Sequence, residues 1–185
     1  RICTRSGVHN YTLALVSAVI DHVGEDAAKD WAAGVKANLA RSPQGNDRAQ
    51  VKAIWAGECD ISLGNTYYMG KMLANEEQQA WADSVRIVFP SFAAGGTHVN
   101  VSGIAMTQSA PNRDEALQLM EFLVTPESQA IYAEVNYEYP VLVDAPLSEV
   151  VAGWGTFTPD GVDLTTIAGH RATALRIMEE VDFDG

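Results

Sequence analysis

The stretch Asp60-Ile61-Ser62-Leu63-Gly64-Asn65-Thr66-Tyr67-Tyr68-Met69-Gly70 carries the clearest fold signal in the chain. A short apolar run that ends in glycine and asparagine is typical of a buried strand closed by a turn. Ligands of open α/β sheets usually bind just beyond the carboxyl ends of strands. Tyr67 and Tyr68 therefore either pack within the fold or present two hard oxygen donors to a metal.

Strands and helices alternate on both sides of this stretch. A strand near Cys3 precedes a helix with apolar residues at Leu13, Val16, Ile20 and Val23, which Gly24 is placed to end. A second helix starts at Glu25-Asp26, and Asn46 or Asp47 caps a third. Further strands are predicted over residues 85–89 and 99–106. Later helices are predicted after Asn112, from Thr125-Pro126, and through Leu164, Ile167, Leu175 and Met178. This order predicts an α/β layer architecture.

Composition excludes several classes of partner. The 185 residues include 24 acidic and 12 basic side chains, for a net charge of −12, and 47% are hydrophobic. A chain of this kind can bury a core, but its charge disfavours nucleic acid and anionic membranes. No apolar run approaches the roughly 20 residues of a membrane span. We therefore expect no nucleic-acid partner and no membrane insertion.

Cys3 and Cys59 each stand at the start of a predicted strand, without metal-ligand spacing. If the two strands are neighbours, a disulfide is geometrically possible and would stabilise the fold by about 4 kcal/mol. Such a bond would imply an oxidising compartment such as the periplasm. Two buried thiols are the alternative.

The sequence contains none of the common catalytic motifs, such as G-x-S-x-G, H-E-x-x-H or a phosphate-binding glycine loop. No nucleophile has a base nearby, and the histidines lack ligand spacing: His9, His22, His98 and His170. We therefore predict a binding protein and not an enzyme.

The tyrosines offer a specific chemistry. Neighbouring residues on a strand point to opposite faces, but at a strand-to-helix turn Tyr67 and Tyr68 can converge. Tyr11 follows the first strand in the corresponding turn, and parallel strands open their turns at one edge. The turn over residues 6–10 also favours an anion. Hard oxygen donors select a hard cation, with ferric iron as the first candidate.

Several motifs together resemble the periplasmic ferric-iron-binding proteins of ABC transporters. They occur in that family's order and cover nearly the whole chain: Gly45-Asn46-Asp47-Arg48, Gly57-Glu58-Cys59-Asp60-Ile61, Leu63-Gly64-Asn65-Thr66-Tyr67-Tyr68, Gly96-Thr97-His98-Val99-Asn100-Val101-Ser102-Gly103, Asn136-Tyr137-Glu138-Tyr139-Pro140-Val141 and Trp154-Gly155-Thr156-Phe157.

The resemblance implies a periplasmic-binding-protein-like (type II) lobe, a mixed sheet flanked by helices, with the first lobe largely missing. Residues 1–90 and 149–185 would form the C-terminal lobe. Residues 91–148 would supply a hinge strand and helices that pack on the missing N-terminal lobe, leaving Met120, Phe122 and Leu123 exposed. The start at Arg1, inside a strand and without a signal peptide, fits a piece of a longer protein.

The resemblance also implies a site. Tyr67, Tyr68 and Tyr11 would bind Fe(III), with His9 as a weaker candidate ligand. Ser6, Gly7 and Asn65 would hold a synergistic anion such as carbonate or phosphate; either that anion or Tyr11 would complete the metal shell.

The implied function is periplasmic iron capture for an inner-membrane ABC permease. One alternative is a solute-binding protein for an organic or phosphorylated anion on the same fold. Another is an enzyme or regulatory domain on that fold.

Overall fold

The computed structural model describes residues 1–185, with two short strands as its central pairing. Strands β1 (Ile2–Cys3) and β2 (Ile61–Ser62) run parallel, with Ile2 opposite Ile61 and Cys3 opposite Ser62. An isolated parallel bridge from Ile2 to Leu39 extends this pairing. Since the strands are parallel, the turns that follow them open at the same edge of the sheet.

Ten α-helices and one π-helical turn surround the strands. The helices are α1 (Asn10–Val23), α2 (Glu25–Ala37), α3 (Asp47–Trp55), α4 (Tyr67–Leu73), α5 (Gln79–Asp83), α6 (Arg113–Leu123), α7 (Pro126–Ile131), α8 (Glu149–Ala152), α9 (Leu164–Gly169) and α10 (Arg171–Glu180), and the π-helical turn is Tyr132–Asn136. None of them combines the length and apolar character needed to cross a membrane.

Three predicted helix boundaries, at Gly24, Asn46 and Thr125, are confirmed. Gly24 ends α1 with φ of 83°, a conformation that glycine adopts without steric cost. The Asn46 side chain caps α3 by accepting a hydrogen bond from the Ala49 amide at 3.1 Å. Thr125 caps α7, and Pro126 occupies its first turn.

The main core lies between α1, α2 and α10. Its fully buried members are Leu13, Val16, Val19, Ile20, Ala28, Ala32, Ala174, Ile177, Met178 and Phe183. The prediction of one continuous final helix was wrong, because the chain breaks at His170 between α9 and α10. Gly169, a weak helix former, precedes the break. Leu164 is consequently exposed, whereas Ile167 and Met178 are buried.

A disulfide joins Cys3 to Cys59, with their Cα atoms 5.8 Å apart. Both cysteines are buried and pack with Ala53 beneath the paired strands. The disulfide alternative is therefore confirmed over the two free thiols.

The predicted strands over residues 85–89 and 99–106 were wrong, because neither segment pairs with a neighbouring strand. A strand needs a hydrogen-bonding neighbour, and their apolar residues Val88 and Val101 are 71% and 56% exposed. Aromatic contacts hold the first segment instead: Phe89 stacks on Phe157 at 4.7 Å between ring centres, and Tyr139 meets Phe157 edge-on at 4.9 Å. A two-stranded pairing thus replaces the larger sheet that we expected.

Helix α6 has no buried residue. Phe122 is 48% exposed, and Met120 and Leu123 are half-buried. Of the three residues expected to be exposed, only Phe122 is exposed.

Replacing both cysteines, as Cys3→Ala with Cys59→Ala, should lower the free energy of unfolding by about 4 kcal/mol, because the bond closes a long loop in the unfolded chain. Urea unfolding followed by circular dichroism measures the loss. Reductant should destabilise the natural chain and leave the double variant unaffected; equal stability of the two proteins would contradict the prediction.

Candidate functional site

Tyr67 and Tyr68 are the first two residues of α4 and do not belong to a strand. Strand β2 ends at Ser62, and Thr66 is the N-cap of the helix. Neighbouring helical residues are about 100° apart around the axis, so both side chains can reach one side. Their ring centres lie 4.3 Å apart. The strand-to-helix geometry that the tyrosine hypothesis requires is present.

Tyr11 reaches the same place from the first turn of α1. Its hydroxyl oxygen lies 3.2 Å from that of Tyr67, within hydrogen-bonding distance. The two residues are 56 positions apart in the sequence. They meet because the parallel strands direct both following turns to one edge. The structure therefore brings together all three tyrosines named from the sequence.

The environment keeps the Tyr67 phenol protonated. Burial, followed by hydrogen bonding to the Tyr11 and Tyr68 phenols, raises the pKa of Tyr67 above its ordinary value of 10.0. Removing the proton therefore needs a strongly polarising partner at the oxygen, as a bound metal cation provides. The Tyr67 hydroxyl is thus held as a phenol between the hydroxyl groups of Tyr11 and Tyr68.

An ion pair lies behind the tyrosines and joins their two turns. The Arg5 guanidinium donates to Asp47 Oδ1 at 2.7 Å, and Asp47 is only 3% exposed. The other oxygen of Asp47 accepts the Asn65 amide at 2.8 Å. Arg5 also lies 5.1 Å from the centre of the Tyr11 ring. The pair thus positions Tyr11 on one side and the start of α4 on the other.

The turn predicted to hold an anion faces a carboxylate of the chain itself. Ser6 Oγ donates to Asp184 Oδ2 at 2.6 Å, and the Gly7 amide donates to Asp184 Oδ1 at 2.6 Å. The Asn65 side-chain oxygen accepts a hydrogen bond from Asn100 at 2.9 Å. The binding of an external anion by Ser6, Gly7 and Asn65 remains a prediction.

His9 serves as the N-cap of α1. Its Nδ1 accepts the Tyr11 amide at 3.2 Å, and its ring meets the Tyr11 ring edge-on at 4.7 Å. Burial, followed by the charge of Arg5, lowers the pKa of His9. One ring nitrogen is thus occupied by capping, and metal binding by His9 remains a prediction.

The role of Tyr137 against α4 was not predicted from the sequence. Tyr137 ends the π-helical turn with φ of 59°, which is uncommon for a residue other than glycine. Its ring occupies the space that a Cβ on Gly70 would fill. Gly70 is the only glycine of α4. A glycine inside a helix can indicate close approach by another element, and this was the only sequence signal for the contact. Tyr137 thereby supports the helix that begins with the tyrosine pair.

Comparison with known proteins identifies the family. Residues 8–159 match the sequence model of the family described as "Bacterial extracellular solute-binding protein". The chain belongs to the bacterial extracellular solute-binding proteins. The matched region includes Tyr11, the tyrosine pair and the aromatic cluster around Phe157.

Individual relatives of this solute-binding protein are named for iron. Iron uptake protein A1 of Synechocystis sp. is 44% identical over 182 residues, which is 97% of this chain and 51% of that protein. The structure of Mannheimia haemolytica ferric iron-binding protein A in an open conformation has a TM-score of 0.96 and 46% identity, over 100% of this chain and 58% of that one. A Trichodesmium protein (IdiA, FutA) in complex with iron and citrate ligands has a TM-score of 0.94 and 38% identity, over 99% of this chain and 58% of that one.

These similarities confirm the predicted resemblance to ferric-iron-binding proteins and the type II periplasmic-binding-protein-like fold. The solute-binding protein described here spans only about half to three fifths of the length of those relatives.

Adding a methyl group at Gly70 should disturb the tyrosine site of this solute-binding protein. In Gly70→Ala the new Cβ overlaps the Tyr137 ring, so either α4 or Tyr137 must move, at a cost of about 1–3 kcal/mol. Urea unfolding measures the loss of stability, and near-ultraviolet circular dichroism detects the change around the tyrosines.

Gly34→Ala is the matched control. Gly34 lies within α2, and a Cβ there would meet nothing within 4 Å. Alanine at this position should raise stability by up to about 1 kcal/mol, since it favours the helix. Equal stability of the two variants would show that the Gly70–Tyr137 contact tolerates a methyl group.

Proposed function

We propose that this chain is the tyrosine-bearing lobe of a protein that captures ferric iron and delivers it to an importer. The observation that carries the proposal is the convergence of three phenols from two turns at one sheet edge, with Tyr11 and Tyr67 hydroxyl oxygens 3.2 Å apart. Tyr68 joins them through its ring contact with Tyr67. Clustered phenol hydroxyls favour a metal or a polar ligand over an apolar one.

The chemistry of the donors suits Fe(III). Phenolates are hard anionic oxygen ligands, and three of them balance the charge of a trivalent ion. Each phenol must lose its proton to bind, and the raised pKa of Tyr67 makes that loss dependent on the metal. Affinity should therefore rise with pH, by about tenfold per unit for each proton released.

The relatives support this choice of cargo. They are named as iron uptake and ferric iron-binding proteins, and one was solved with iron and citrate ligands. We accordingly propose Fe(III) as the cargo, with an anion such as carbonate, phosphate or citrate as an additional ligand of the metal. Such a protein binds and releases its cargo, and we assign it no catalytic step.

Location and partner follow from the family and the disulfide. Extracellular solute-binding proteins of bacteria work outside the cytoplasm, and the Cys3–Cys59 bond fits an oxidising compartment. We place the protein in the periplasm, with an ABC transporter permease of the inner membrane as the receiver of the iron.

A second lobe would complete the site. We propose that residues 1–90 and 149–185 form the C-terminal lobe and that residues 91–148 include the hinge and the helices packed on an N-terminal lobe. The absence of any buried residue in α6, with Leu119 and Phe122 about half exposed, supports this division.

Replacing the tyrosine pair tests the cargo. The protein mixed with ferric nitrilotriacetate should develop a visible phenolate-to-iron charge-transfer band. Tyr67→Phe with Tyr68→Phe should abolish the band, and Tyr11→Phe should weaken and shift it, because each change removes a donor oxygen. Proton release in weakly buffered solution should fall by about one per removed phenol.

Tyr139→Phe is the matched control for these variants. The Tyr139 hydroxyl is buried without a hydrogen-bond partner, so its removal should leave the band unchanged and stability equal or higher. A colourless natural protein would contradict the proposal. Native mass spectrometry of protein purified without chelator would then reveal an organic or phosphorylated anion as the ligand instead.

The two-lobe proposal predicts a difference in affinity. A longer chain that includes the N-terminal lobe should bind iron more tightly than these 185 residues, because it adds donors and excludes water. Competition against citrate, measured by the intensity of the charge-transfer band, compares the two. Equal affinities would contradict a contribution from the second lobe.

A further inference from the structure

Each of the three residues expected to hold an external anion donates a hydrogen bond to a carboxylate of the chain. Asp184 accepts from both Ser6 Oγ and the Gly7 amide, at 2.6 Å each. Asp47 accepts from the Asn65 amide at 2.8 Å. These are short, charge-assisted hydrogen bonds, about twice as strong as their neutral counterparts. The turn therefore already holds the negative charge that it favours.

The segment that carries Asp184 is packed against the main core. The preceding residue, Phe183, is 3% exposed in the main core, and its amide donates to Met178 O at 3.0 Å. A Cβ on Gly7 would come within 2.7 Å of the Phe183 ring and 2.8 Å of the Met178 methyl. Only glycine lets the turn approach this segment so closely. The contact is consequently built into the packing of the fold.

The surroundings disfavour a second anion at the same turn. A cleft of about 260 Å³ beside Gly7 is lined by Glu179, Asp182 and Asp184. An incoming phosphate would approach these three carboxylates and would have to displace the two hydrogen bonds of Asp184. Like charges at short range oppose such binding.

Asp47 supplies the other carboxylate, and its charge is balanced within the chain. Its two oxygens accept from Arg5 and from the Asn65 amide, and a Cβ on Gly64 would lie 3.3 Å from Oδ2. The space between Asn65 and α3 is thus filled by this side chain. No external anion is needed to satisfy the Asn65 amide.

We infer that Asp184, with Asp47, is an internal substitute for the synergistic anion at the turn that precedes Tyr11. The inference rests on the proposed function, whose metal ligands it positions. Asp184 fixes the turn by accepting hydrogen bonds from Ser6 and Gly7. Thr12 Oγ1, in the first turns of α1, holds the same turn by donating to Ser6 O at 2.9 Å. An external anion that takes part in iron binding then contacts the metal and not this turn.

The inference predicts that phosphate does not bind at this turn in the natural protein. Iron affinity should not depend on inorganic phosphate acting at Ser6 and Gly7, since those donors are occupied before any anion arrives. Removing the Asp184 carboxylate frees an amide and a hydroxyl at the start of a 14-residue helix, a setting that binds phosphate readily. Asp184→Ala should therefore create a phosphate site that the natural protein lacks.

The test uses the iron-free protein and inorganic phosphate, with the Gly7 amide resonance as the signal. Phosphate should shift this resonance saturably in Asp184→Ala and leave it unchanged in the natural protein. Glu179→Ala is the control, because it removes a carboxylate from the same cleft without touching the turn. A phosphate-dependent shift in the natural protein, or identical behaviour of the two variants, overturns the inference.

A second arm measures iron affinity from the charge-transfer band with and without phosphate. Phosphate should change the iron affinity of the natural protein and of Glu179→Ala by the same factor, whereas the affinity of Asp184→Ala should gain about tenfold more, the worth of one charge-assisted hydrogen bond. An equal effect of phosphate on the iron affinity of the natural protein and of Asp184→Ala also overturns the inference. If no band forms in any protein, the proposed function fails, and the phosphate titration alone still decides the role of Asp184.

Discussion

The parallel pairing of β1 with β2 is the constraint on which the site depends. Each strand has only two residues, and the Cys3–Cys59 bond ties β1 to the residues just before β2. Parallel strands send the following chain out at one edge, so the first turns of α1 and α4 meet there. The phenols of Tyr11 and Tyr67 are thereby brought together across 56 residues of sequence before any ligand arrives. Ordering the donors in advance lowers the entropy that binding must overcome.

Charge balance around this edge follows a simple pattern. Tyr67 is held as a neutral phenol, and the buried carboxylate of Asp47 is paired with Arg5. Asp184 faces backbone and hydroxyl donors and has no cation beside it in the turn. The Asp184 carboxylate is thus stabilised by hydrogen bonds and not by a counter-charge, and the chain as a whole has a net charge of −12. A surrounding field of that sign attracts a cation and repels free anions.

Local signals in the sequence predicted much of the site. Gly64 and Asn65 indicated the end of a strand. The alternation of strands and helices predicted parallel strands, and parallel strands bring Tyr11 to the same sheet edge as the tyrosine pair. Strands at residues 85–89 and 99–106 were predicted wrongly, because strand propensity says nothing about whether a neighbouring strand exists. The partners of Ser6 and Gly7 could not be predicted either. Asp184 is 178 residues from Ser6, and only packing of the whole chain brings them together.

The contact between Gly70 and Tyr137 has a mechanical consequence. It leaves no room for even one methyl group, so α4 and the π-helical turn cannot approach each other further. Movement of the π-helical turn toward α4 would therefore require a shift of the helix or a change in the left-handed backbone conformation of Tyr137. A displacement of Tyr137 toward α4 would therefore push directly on the helix that carries Tyr67 and Tyr68.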